Sequence, residues 1–335
     1  MARTRASGVR VAVLVGGVLL LALLFALGPG RILSLLSALG GNFLVIVALF
    51  GCHELVRAAA IDRCLYSHQR PGFRRLLRIR FLGEAAGTLT RIGPFAAEPM
   101  RAWMLGDQAG RGPEAYAAAL SELIANSATS ASVTVVVAGF VLVARAIHGE
   151  LLVLAHVLFW SSLVYVGVAI WAVASRVSII GAVARALGGL PFVGHRLRTD
   201  PVRVRRMEDA IVHALTHRPV ALAQVLLLEC VAQSILVFEM YWTIRSMGVD
   251  INLGTALFVE VLTKAANVVQ FIGVTEGAYA VVFNWLGMTA AVGFTLSLVK
   301  LLRSLIAAGL GLAILVPGGC RRESAEIGAA ALERS

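Results

Sequence analysis

Residues 271–283 read F-I-G-V-T-E-G-A-Y-A-V-V-F, an apolar stretch with one carboxylate, Glu276, set between Gly273 and Gly277. A plain membrane helix would carry Leu or Val at that place. Two glycines around an acid point instead to a broken segment, in which the backbone turns and the acid stands at or beside a helix start. A second stretch, R-I-G-P-F-A-A-E-P-M-R at 91–101, repeats the pattern of breaker, acid and apolar flank.

Both stretches lie in a strongly apolar chain. Of 335 residues, 59% are hydrophobic and 15% charged, and the mean hydropathy is +0.83. The apolar residues fall in runs, and runs of about 18 or more read as bilayer-spanning helices. Lipid offers no hydrogen bonds, so only helices or closed barrels cross it. These runs lack the period of two that barrel strands require. The expected class is an all-α polytopic transmembrane bundle.

Spans are expected at 9–28, 32–56, 116–143, 150–175, 219–244 and 289–317, six in all. Between them lie two basic stretches. The first, 57–80, holds seven Arg against one Asp, and the second, 176–218, holds eight Arg against three acids. Basic loops favour the cytoplasmic side, so both are expected there, as are the tails 1–8 and 318–335. Parity then requires 80–112 to start and finish inside, and 252–288 to start and finish outside. Each is expected to be a re-entrant segment, because non-helical backbone at depth survives only in protein or beside a wet cavity. Gly93, Pro94 and Pro99 would make the first turn, and Gly273 and Gly277 the second. Interrupted segments in two halves are a sequence pointer to a binding site near the midplane. The whole of 9–317 is read as one membrane domain, in a bacterial-type cytoplasmic (inner) membrane with both termini cytoplasmic.

The net charge is +11. No nucleic-acid-binding module accompanies the charge, and a nucleic-acid partner is not expected. The apolar run after the N-terminal arginines exceeds the roughly 7–15 residues of a signal-peptide core and lacks a cleavage motif, so it reads as an uncleaved first span. Cys52, Cys64, Cys230 and Cys320 form no C-x-x-C and suggest neither a disulfide framework nor a zinc site. His53, Glu54 and Arg57 spell H-E-x-x-R, read as an interfacial ion pair rather than a metal motif. No Walker loop, nucleophile elbow or nucleotide fingerprint occurs. No catalytic residue, cofactor or metal ligand is assigned, and the chain is not expected to be an enzyme.

The candidate binding residues are Glu98, Arg101, Glu276, Lys300 and Arg303. Glu98 and Arg101 stand three apart after the breakers, where a helix start favours an anion and Arg101 adds a fork for phosphate or carboxylate. Two readings of Glu98 and of Glu276 are open, a cap for orphan N–H groups or a ligand contact. Lys300 and Arg303 share one face inside the last span, either as a cationic wall or as partners of Glu276 or Glu260. Glu260 and Lys264 have the spacing of a local pair, and Asn267 and Gln270 suit a wet lining. Glu229 and Glu239 are acids in a span with no local base. A charge at mid-bilayer costs about 2.5–3.5 kcal/mol on insertion scales, so each needs a partner or water.

The early P-x-x-x-E-P-x-R-A-x-x-L segment, the later I-G-V-x-E-G and the basic last span together resemble the flippase-like family. That family comprises the transmembrane region of lysylphosphatidylglycerol synthases and stand-alone relatives, including a hopanoid-associated subgroup. Pro94, Glu98, Pro99 and Arg101 match the first motif, Gly273, Glu276 and Gly277 the second, and Arg303 the basic position. The chain has Ala96 and Ala97 where the family often has a glycine pair. It has Val269, Gln270 and Phe271 where Pro-Gly-Gly is common, which stiffens both turns. The resemblance implies transbilayer handling of an amphiphile with a charged head group, such as an anionic or aminoacylated phospholipid or a lipid-linked precursor. The alternatives are a non-transporting scaffold of a lipid-synthesis complex and a proton-coupled carrier of a small soluble solute.

Overall fold

A computed structural model describes residues 37–65, 71–90, 94–109, 112–144, 147–175, 218–266 and 274–315, with isolated positions besides. All regular structure among them is helical: α1 (Asn42–Cys64), α2 (Phe73–Thr90), α3 (Pro94–Ala109), α4 (Gly112–Val143), α5 (Glu150–Ser175), α6 (Pro219–Ser246), α7 (Leu253–Ala266), α8 (Val274–Trp285) and α9 (Ala290–Leu315). Five of these, α1, α4, α5, α6 and α9, are long and apolar enough to cross a membrane. The expected first span, 9–28, the loop 176–217 and the C-terminal tail 318–335 lie outside the described residues.

Helix starts and stops follow local chemistry. Pro219 opens α6 at the first turn, where its missing N–H costs nothing. Gly149, Gly248 and Gly287 take positive φ at the connections before α5, after α6 and after α8. In α1 the buried residues Phe43, Ile46, Phe50, His53, Arg57 and Ile61 recur every three or four positions, which puts them on one face. The outward face of α5 is apolar as well, with Val153, Val157, Trp160, Val164, Val168 and Trp171 exposed. Such a face suits lipid rather than water.

The two segments expected to be broken each form a pair of short helices. α2 and α3 pack together on either side of 91–93, and α7 and α8 pack on either side of 267–273. With 14 residues in α7 and 12 in α8, a rise of 1.5 Å per residue gives them lengths of about 21 and 18 Å. Neither reaches across a hydrocarbon core of about 30 Å. α9 packs against α2 from the first pair and α8 from the second. It gets close by means of glycine: a Cβ on Gly311 would fall 2.6 Å from the Phe81 carbonyl oxygen, and one on Gly293 would fall 2.4 Å from that of Tyr279. The basic last span is thereby seated between the two broken segments.

The stretch 57–80 departs from the expected basic loop. α1 continues to Cys64 and α2 begins at Phe73, leaving a connection about as short as helical neighbours usually need. Arg57 is buried and Arg80 is fully buried, while Arg74, Arg75 and Arg78 are exposed. Counting arginines had treated all seven alike. The physical difference is helical phase, which turns Arg80 inward with Leu76 and Ile79.

Candidate functional site

A ribbon of charged side chains runs through the apolar bundle. Its first part lies where α1, α2, α4 and α6 meet. Glu122 Oε1 accepts hydrogen bonds from Arg57 Nη2 at 2.7 Å, Arg57 Nε at 3.0 Å and Arg80 Nη1 at 3.2 Å. Arg80 Nε also donates to Glu54 Oε2 at 3.1 Å. His53 Nδ1 stands 3.2 Å from Glu54 Oε1, and Glu229 Oε2 stands 3.8 Å from Arg57 Nε. Each of these side chains is less than a tenth exposed or close to it. Burying these charges is tolerable because guanidinium groups hydrogen-bond Glu54 and Glu122, while Glu229, 3.8 Å from Arg57 Nε, accepts no hydrogen bond among the described residues; a stranded partner would cost several kcal/mol.

The second part is the first broken segment. Arg101, on α3, pairs with Glu98 one turn back and donates from Nη2 to Glu84 Oε2 of α2 at 3.4 Å. It also lies over Gly83, where a Cβ would fall 2.4 Å from its Cγ. Gly83 therefore leaves the space in which the guanidinium lies. Glu84 also feels the more distant charge of Arg303 on α9, with which it forms no ion pair.

The third part surrounds α9. Arg303 pairs with Glu239 of α6 and lies over the Phe50 ring with Cζ 4.1 Å from the centroid. Lys300 Nζ donates to Glu260 Oε2 at 2.9 Å and stands 5.7 Å from the Tyr279 ring centroid. Lys264 turns the other way, donating to Gln233 Oε1 at 2.6 Å and Ser130 Oγ at 3.0 Å.

The structure gives four of the candidate residues an internal partner: Glu98 pairs with Arg101, Lys300 with Glu260 and Arg303 with Glu239. Glu276 begins α8, but its side chain lies outside the described residues, as do the side chain of Pro94 and the whole of Gly93 and Gly273. Pro99 is an exposed residue within α3, and Gly277 is an exposed helical position of α8 rather than a turn. Asn267 and Gln270 are also outside. Of the two partners open to Glu260, Lys300 takes it and Lys264 does not, because the tertiary contact outcompetes the i,i+4 one. Glu239, which has no local base, meets Arg303 from 64 residues away. One reading changes: His53, Glu54 and Arg57 are not interfacial but buried. Glu122, the hub of the first part, was not singled out at all; an isolated acid inside the alanine-rich run 116–143 was its available signal. Glu84, which Arg101 reaches, is likewise not among the sequence candidates.

Among the described residues no group of His, Cys, Asp and Glu is placed to hold a metal ion. What the network can do is bind charge. It presents guanidinium, ammonium and carboxylate groups inside an apolar body, beside two interrupted helix pairs.

A helical bundle with long apolar helices, a lipid-suited outer face and deep charges is a polytopic membrane protein. Over residues 9–311 the chain matches the family described as lysylphosphatidylglycerol synthase TM region, and it belongs to that family. No curated protein matches it, and neither does any solved structure.

Proposed function

We propose that this protein binds an amphiphilic lipid by its charged head group and carries it across the cytoplasmic membrane. The observation that supports this most is the position of α9. Its Lys300 and Arg303 lie on a helix packed between the two broken segments, and the charge of Arg303 reaches Glu84, which Arg101 of the first pair contacts. In the proposed mechanism the head group enters this polar seam while the acyl chains stay in the bilayer. Its charges exchange for internal ones: a phosphate or carboxylate takes the place of Glu98 on Arg101 or of Glu239 on Arg303. An ammonium group, where the lipid carries one, takes the place of a base beside Glu84. The displaced carboxylate, Glu98 or Glu239, must then take up a proton or water from the opened seam, because a stranded buried charge would cost several kcal/mol. Motion of one half against the other then changes the side to which the seam opens. The proposal includes no chemical step and places both termini in the cytoplasm.

A second reading draws on the same pairs. Because Glu98–Arg101, Glu239–Arg303 and Glu260–Lys300 satisfy each other, they also suit a scaffold that holds its shape and transports nothing. The two separate on bound lipid. Protein taken into native-membrane nanodiscs and analysed by mass spectrometry should carry one charged lipid enriched over the bulk membrane, and Arg101→Ala and Arg303→Ala should lose that enrichment. Bulk lipid composition in all three samples favours the scaffold.

A further inference from the structure

Lys264 differs from the other deep bases. Among the described residues no carboxylate lies within ion-pair distance of it; Glu260, one turn back, is committed to Lys300. Its contacts are neutral: Gln233 Oε1 at 2.6 Å and Ser130 Oγ at 3.0 Å. Gln233 Nε2 in turn donates to Asn126 Oδ1 at 3.3 Å.

The depth makes this unusual. Gln233 stands 14 residues from Pro219 and 13 from Ser246, midway along α6. Among the described residues this mid-depth ammonium has no ion-pair partner, and a charge so placed is costly and marks a functional position by default. Its surroundings say which kind. The carbonyl oxygens of Gln233 and Asn126 both accept within the chain, and the Ser130 oxygen accepts from Lys264. What the described residues leave over are donors: the third ammonium N–H, the second amide N–H of Gln233, the Asn126 amide and the Ser130 hydroxyl. Lys264, Asn126 and Ser130 are only half-buried, so these donors are not sealed in the core.

We infer that Lys264, Gln233, Asn126 and Ser130 form an oxyanion site at mid-depth, suited to a phosphate group. A compact ammonium with several neutral donors fits a tetrahedral anion with three or more acceptor oxygens. A cation is excluded by the charge, and a neutral ligand would leave that charge unbalanced. The site is separate from the α9 seam: its residues come from α4, α6 and α7. It rests on the lipid-handling reading only for the source of the phosphate, which is either a phospholipid head group or free phosphate.

The test uses the full chain in phosphate-free maltoside micelles, titrated by calorimetry with short-chain phosphatidylglycerol and, separately, with inorganic phosphate. Lys264→Gln should weaken the phosphate-bearing probe about tenfold to a hundredfold, the loss of one charge-assisted bond. Asn126→Ala, which leaves the Lys264–Gln233 contact in place, should weaken it less, and Lys264→Arg should retain most of it. Binding of the lipid alone assigns the site to a head group. Binding of inorganic phosphate alone keeps the oxyanion site and removes the lipid reading. Phosphatidylglycerol bound equally by wild type, Lys264→Gln and Asn126→Ala overturns the inference while leaving the lipid reading intact. If neither probe binds the wild type, both fall. Should Lys264→Gln fail to fold, Asn126→Ala and Ser130→Ala decide, and undiminished binding in both refutes the site.

Discussion

Arg80 is the sharpest place to test the buried network. In a basic loop its replacement would matter little, since exposed substitutions stay within about 0.5 kcal/mol. In the structure it is fully buried and donates to Glu54 at 3.1 Å and to Glu122 at 3.2 Å. Arg80→Met keeps most of the apolar stem and removes both bonds. Two hydrogen bonds to charged groups are worth about 1.5–3 kcal/mol each. Glu122 keeps Arg57, but Glu54 is left with only His53 beside it. The expected loss is about 3–5 kcal/mol, the usual result of breaking a buried pair from one side. Arg78→Met is the control, two residues away on the exposed face of the same helix. Both are measured by reversible unfolding in mixed micelles with increasing SDS, followed by far-UV circular dichroism. Equal midpoints for the two variants would refute the placement of Arg80 and restore the loop reading.

Three further outcomes follow from other contacts. Gly311→Ala and Gly293→Ala place a methyl against backbone carbonyl oxygens of α2 and α8, and each should cost about 1–3 kcal/mol in the same unfolding assay; a neutral result would mean that α9 stands further off. A double-mutant cycle of Lys300→Met and Glu260→Gln should give a coupling of about 0.5–3 kcal/mol, whereas Lys264→Met with Glu260→Gln should give a smaller one. The reverse order would restore the local i,i+4 pair. Gly83→Ala forces Arg101 out of its place over α2, so enrichment of bound lipid in nanodiscs should fall as it does in Arg101→Ala. Retained enrichment would show that this position of Arg101 is not the one used for binding.

The membrane bundle and the two broken segments were legible because they depend on local quantities: length of apolar run and breakers. The shared face of Glu98 and Arg101 was legible for the same reason, being one turn long, but their ion pair was not among the readings of Glu98, a cap or a ligand contact. The centre of the site was not. Glu122 joins Arg57 and Arg80 across 65 and 42 residues, and nothing local distinguishes Arg80 from Arg78 except helical phase. Phase was hidden because a run read as a loop is given none. The exchange of partners around Glu260 has a similar origin. Sequence spacing shows which pairs can form on one helix, and only packing decides whether a base on another helix forms a better one.

Lipid movement itself is the central claim. The direct measurement reconstitutes the protein in liposomes carrying a trace of fluorophore-labelled phosphatidylglycerol and follows quenching of the outer leaflet by a membrane-impermeant reductant. Beside it stands the double variant Glu239→Gln and Arg303→Ala, in which no carboxylate is left without its base. The account predicts that wild-type vesicles lose protected fluorescence faster than empty ones and that the double variant, still folded, behaves like empty vesicles. Protected fluorescence that persists equally in wild-type, variant and empty vesicles, for this lipid and for an aminoacylated one, would contradict it.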